Sequence, residues 1–140
     1  LTIVAVATPS DVRRKKDIHP LESSLEKVVK LQGVTYEWDK SKVTGAGYTN
    51  EKQIGLIAQE VEKVLPEPVH TDKEGYKTLS YDKLGPVLIE AIKEQQGMIR
   101  EQSDEIRQKD TRIERLEKAL EMMEKRLAVI EKMEMTVASK

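Results

Sequence analysis

The chain has 140 residues, 38% hydrophobic and 35% charged, with no Phe, one Trp and a formal net charge of -1. That balance excludes a bulk electrostatic case for nucleic acid or an anionic membrane, so no nucleic acid and no membrane is expected as a partner. The absence of Cys excludes disulfides, thiolate catalysis and cysteine zinc sites, and no apolar run reaches the ~20 residues of a membrane span.

The length allows one small domain plus an extension, and so lean an apolar content suits a chain that spends many residues on an exposed helix. Residues 2–7 (TIVAVA) read as a strand closing an upstream element. A chain that opens on Leu1 in mid-pattern reads as part of something longer. Residues 8–20 are polar and basic, bounded by Pro9 and Pro20, and read as an irregular arm. Pro20 suits a helix start. Leu21, Leu25, Val28, Val29 and Leu31 then give a helical stripe that ends at Gly33. VTYEWD, 34–39, alternates and is β-rich, so a strand is expected, with Tyr36 and Trp38 in core or interface roles. Residues 40–53 have the Gly, Asn and Thr content of a long loop or irregular hairpin. IGLIAQEVEKVLPE passes from a short strand into a helix, with Ile57, Val61, Val64 and Leu65 on one face and Pro66 as the stop. Lys73, Glu74 and Gly75 form a turn between two short strands over 68–80.

From Tyr81 the pattern changes. Ser80 is placed to cap a helix, Asp82 suits its positive first turn, and Pro86 falls early, where it costs least. No Pro follows as far as Val137, and Gly97 is the one Gly in that run. Such a helix is ~75 Å long. No small domain covers that length, so partners are required.

A heptad register fits this run without a break. The a positions are Ile92, Ile99, Ile106, Ile113, Leu120 and Leu127. The d positions are Leu88, Gln95, Gln102, Lys109, Leu116, Met123, Ile130 and Val137. A narrow stripe with so strict a period indicates a coiled coil. Four successive Ile at a, with Gln95 and Gln102 rather than Leu at d, depart from the dimer pattern, and a homotrimer is expected. Gln95 and Gln102 can bond around a three-fold axis and fix the register. Arg112 with Glu117, and Arg126 with Glu131, have the g-to-e′ spacing of parallel neighbours, whereas Glu105 with Asp110 is a like-charged exception. Each exposed pair is worth ~0.5 kcal/mol, so these pairs choose orientation more than they hold chains together.

The arm reads Ser10-Asp11-Val12-Arg13-Arg14-Lys15-Lys16-Asp17-Ile18. By itself this pattern carries no chemistry, because Ser-Asp pairs cap turns and basic runs are solvated. His19 and His70 belong to no recognisable triad, two lone histidines make no metal site, and Gly45, Gly47 and Gly55 match no phosphate loop. No metal and no cofactor is therefore expected.

Three segments in order, SDVRRKKDI at 10–18, IGLIAQEVEKVLPEPV at 54–69 and YDKLGPVLIEAIKEQQ at 81–96, run into the coiled coil. Together they resemble the C-terminal intramolecular chaperone and autoprocessing domain of phage tail spikes and tail fibres, the endosialidase type. The resemblance implies a domain that helps three copies of an upstream spike trimerise and fold. It then cuts itself off with a serine–lysine dyad just before the serine. Matched to the pattern S-D-x-R-x-K, the nucleophile is Ser10, the base Lys15 and the scissile bond Pro9–Ser10, with Asp11 and Arg13 in support. Lys16 is the nearby competitor. The expected architecture is α+β. It comprises an upstream end at 1–9, a small mixed domain at 10–83 and a long helix at 84–140 forming a parallel trimeric coiled coil. The resemblance also implies assembly in the host cytoplasm, then release from, or retention at, the tip of the virion tail. The alternative is a permanent, non-cleaving trimerisation tip.

The dyad is chemically consistent. Ser10 Oγ reaches the carbonyl of its preceding residue through a five-membered ring, but a serine hydroxyl needs a base. Lysine serves only when neutral, below its usual ~10.4. Burial and the neighbouring Arg13, Arg14 and Lys16 push it that way. A small arm cannot bury a lysine but a trimer can, so assembly is expected to time the cut.

Overall fold

The computed structural model describes residues 8–45 and 47–139, so the strand expected over 2–7 lies outside the described residues. After the arm, α1 spans Ser24–Val29. It is shorter than the stripe from Leu21 suggests. Ser23 sits in the left-handed region at φ 53, which breaks the helical turn and leaves Leu21 outside it, 41% exposed. At the other end the amides of Lys30 and Leu31 bond back to the carbonyls of Lys27 and Val28, a tightened last turn. So short a helix does not stand alone. Val28 and Leu31 pack it against the core, while Val29 points away.

β1 (Val34–Tyr36) pairs antiparallel with β2 (Gln53–Gly55), Val34 opposite Gly55 and Tyr36 opposite Gln53. The strand expected over 34–39 ends at Tyr36 because β2 offers no further partners. Trp38 instead anchors the long loop that follows. Its ring meets Tyr36 edge-on at 5.1 Å and Tyr48 at 4.8 Å.

α2 (Ala58–Val64) carries Val61, and Leu65 follows at its end. These two with Leu84 and Val87 are the buried core, flanked by Val28, Leu31, Leu56, Val69 and Leu79. Ile57, expected on that face, is 40% exposed, and Leu56 takes its place. The reason is local. Ile57 is the residue before the helix, in extended conformation, so helical spacing back from Val61 does not reach it. Pro66, without an N–H, prevents a further turn.

β3 (Val69–Thr71) and β4 (Lys77–Leu79) form an antiparallel hairpin, Val69 opposite Leu79. Its turn is held by Asp72, whose Oδ1 accepts from the amides of Glu74 and Tyr76, both at 2.9 Å. Gly75 supplies the positive φ of 88. Lys77 Nζ donates to Thr71 Oγ1 and to Glu62 Oε1, each at 2.8 Å, and ties the hairpin to α2.

A 3-10 turn, Tyr81–Lys83, leads into α3, Leu84–Ala138, a single helix of 55 residues and ~82 Å. Ser80 makes no side-chain cap. The 3-10 turn takes up the entry instead, with the Lys83 amide bonding to the Ser80 carbonyl. The start of α3 thus moves to Leu84, and Pro86 falls among the first four amides, where no intrahelical bond is lost. The fold is therefore α+β, with short strands and helices followed by one long helix.

The chain divides into two units after Ile92. The first contains the opening turns of α3, where Leu84, Val87 and Ala91 are buried. The second is α3 alone over its described residues. No helix among the described residues is long and apolar enough to cross a membrane.

Candidate active site

The arm is organised by one short element, a 3-10 turn over Val12–Arg14. Asp11 caps it in extended conformation. Its Oδ1 accepts from the Arg13 amide at 2.9 Å, the local bond that suits Asp to this position. The Arg13 guanidinium then closes on the same carboxylate. Nε donates to Oδ1 at 3.0 Å and to Oδ2 at 3.2 Å, and Nη2 donates to Oδ2 at 2.6 Å. This forked, charge-assisted contact is the geometry that arginine provides and lysine does not. It holds the Asp11 carboxyl below its usual 3.8, first through the Arg13 side chain and second through the Arg13 amide. Asp11 in turn raises Arg13.

The backbone completes the turn. The Arg14 amide bonds to the Asp11 carbonyl at 3.1 Å, and the Lys15 amide to the Val12 carbonyl at 3.0 Å. The chain thereby doubles back, and Lys15 Nζ donates to Ser10 Oγ at 2.8 Å. That separation lies within reach for proton transfer to a general base. Lys15, rather than Lys16, is the lysine whose ammonium meets the hydroxyl. Pro9, Ser10, Asp11, Arg13 and Arg14 line an open depression of about 510 Å3 beside it. Every residue of the arm from Thr8 to Pro20 is exposed. The single chain thus supplies the contact between hydroxyl and amine but not the burial.

His19 is exposed on the arm, and His70 lies in β3 opposite Thr78. Among the described residues no group of three or more acidic or histidine side chains is placed to hold a metal ion.

The apolar seam of α3 is the second candidate surface. Ile92, Ile99, Ile106, Ile113, Leu116, Leu120, Met123, Leu127 and Ile130 are between 50% and 66% exposed, far more than a finished core permits. Ion pairs within the helix join Lys109 to Glu105 at 3.7 Å, Lys125 to Glu121 at 2.6 Å, and Arg107 to Asp104. Arg112, Glu117, Arg126 and Glu131 take no part in those pairs.

Residues 10–70 match the protein family described as chaperone of endosialidase. Over this segment the chain is similar to that family, and the match begins at Ser10 and takes in the clasped turn, β1, β2 and α2. The chain is also similar to named fibre proteins. It is 40% identical over 88 residues to the long tail fiber protein Gp37 of Enterobacteria phage K3, covering 60% of this chain and 7% of that protein. For the Gp37 of Enterobacteria phage M1 the identity is 38% over 89 residues, 61% of this chain and 35% of the relative. For that of Salmonella phage S16 it is 40% over 68 residues, 49% and 9%. The chain thus spans between 6% and 35% of the length of the relatives it matches. The similarity to the endosialidase-chaperone family was visible in the sequence through motifs that are contiguous. The bidentate grip of Arg13 on Asp11 is a geometric detail that spacing alone does not give.

Proposed function

We propose that this chain is an assembly chaperone of a phage tail fibre or spike, which joins three copies through α3 and then releases itself by cutting Pro9–Ser10. The observation that carries the cut is the 2.8 Å contact between Lys15 Nζ and Ser10 Oγ across a clasped turn. Deprotonated Nζ takes the Oγ proton as Oγ attacks the Pro9 carbonyl carbon. The bond from that carbon to the Ser10 nitrogen breaks, and the nitrogen receives the proton carried by Lys15. Water then hydrolyses the resulting ester, which leaves a carboxylate on Pro9 and a free amine on Ser10. A general base must be the neutral amine, which desolvation favours, and the exposed arm does not supply that desolvation, so the cut waits for it. Three copies drawn together by the exposed seam supply it, and assembly precedes release.

The test is to express a fibre carrying this chain with single substitutions and to weigh the products. Ser10→Ala leaves an uncut precursor that still trimerises. Lys15→Arg is also uncut, because a guanidinium stays charged and accepts no proton. Lys16→Ala only slows the reaction. Full cleavage in Ser10→Ala would remove the nucleophile, and normal cleavage in Lys15→Arg would remove the base. The second reading, a permanent trimerisation tip, is favoured by the similarity to proteins named as fibres rather than proteases. An uncut unsubstituted chain would establish it.

A further inference from the structure

In the heptad register, the residues of α3 buried against their own domain lie on one flank of the seam. Leu84 and Ala91, both at g, are 9% and 3% exposed. The opposite flank, e, carries Ile89, which is 55% exposed. The later e positions Gln96, Ser103, Asp110, Glu117, Glu124 and Glu131 are polar, and the last, Ala138, is small. The one large apolar e residue therefore occurs at the level of the globular domain. In a parallel coiled coil, g of one helix meets e of the next chain five residues on. Arg112 and Glu117 have this offset, as do Arg126 and Glu131, and so do Leu84 and Ile89.

We infer that Ile89 of each chain packs on the globular domain of the neighbouring copy, beside its Leu84, so that every domain is buttressed by a second chain's helix. The inference rests on the trimeric coiled coil proposed above. Its occupant is a second copy, because the same offset that joins opposite charges lower down places this apolar pair. Leu84 belongs to the cluster with Val61, Leu65 and Val87, so the contact reaches the core directly. Assembly then tightens the domain itself and not only the helix.

The experiment is hydrogen exchange on the full chain. It follows the Val61 and Leu65 amides, which bond to the Ile57 and Val61 carbonyls in α2. Ile89→Ala removes an exposed side chain and improves helix propensity, so the isolated chain loses nothing by it. In the trimer it should leave the mass unchanged and speed exchange at both amides about tenfold. In the dissociated Ile106→Asp/Ile113→Asp background it should change neither. Ile89→Glu, read in the same way, gives the larger effect. A trimer whose α2 exchange is unaffected by Ile89→Ala overturns the buttress and leaves the trimer standing. An equal rise in the dissociated background overturns it too, by placing the effect within one chain. An unsubstituted chain that is not trimeric overturns both readings.

Discussion

Asp11 decides the conformation of the arm, because it accepts from both the amide and the guanidinium of Arg13. These bonds favour the carboxylate and lower its pKa from 3.8. A group whose pKa is depressed by folding contributes where it is ionised, above its unfolded value, and loses that contribution as pH falls through the folded one. The clasp should therefore persist through pH 3.8 and open only in stronger acid. Carbon-detected NMR of the Asp11 carboxyl should give a midpoint below 3.8, and Arg13→Ala should raise it, leaving only the smaller effect of the residue 13 amide. A midpoint unmoved by Arg13→Ala would mean that the guanidinium does not hold the carboxylate. The short spacing of Ser10, Asp11, Arg13 and Lys15 and the exposure of so small an arm could be read from the sequence. The forked grip of Arg13 on Asp11 could not, because it depends on how the turn folds back.

Between elements, a close fit lies where β2 meets the turn before α3. Tyr81 Oη accepts from the Leu56 amide at 2.8 Å. A Cβ on Gly55 would stand 2.6 Å from that oxygen and 3.2 Å from Tyr36 Cε1. Gly55→Ala should therefore push Tyr81 away and destabilise the domain by ~1–3 kcal/mol in urea unfolding. Tyr81→Phe should cost ~1 kcal/mol by leaving the Leu56 amide without its acceptor. Together they should cost less than their sum, since either change already breaks the same contact. Additive losses would show that the two sites are independent. Gly55 was legible only as part of a short strand, because its constraint comes from a residue far along the chain. The short elements themselves were legible in order and type. Their ends were not, since a left-handed Ser23 and an extended Ile57 interrupt stripes that continue on paper.

For the molecule as a whole, the deciding quantity is the apolar seam that one chain leaves in water. Its period is plain in the sequence because every heptad repeats it. The number of partners is carried only by the choice of Ile and Gln within the layers, a weaker signal. Ile106→Asp with Ile113→Asp places three like charges in each of two layers of the proposed trimer. Light scattering should show its mass falling to that of one chain, while the α+β domain keeps its secondary structure. A trimer mass that survives both changes would rule out this seam as the interface.

The core of the globular domain has a further consequence for synthesis. Leu84 and Val87 make up half of its central apolar cluster with Val61 and Leu65, yet both belong to the first turns of α3. A nascent chain halted before residue 84 thus lacks half of that cluster as well as the whole seam. The ribosome delivers the arm first and the parts that stabilise the domain afterwards. A prematurely terminated product should therefore remain protease-sensitive and unable to recruit intact copies. The shared helix makes the completeness of each message a condition for entering the proposed trimer.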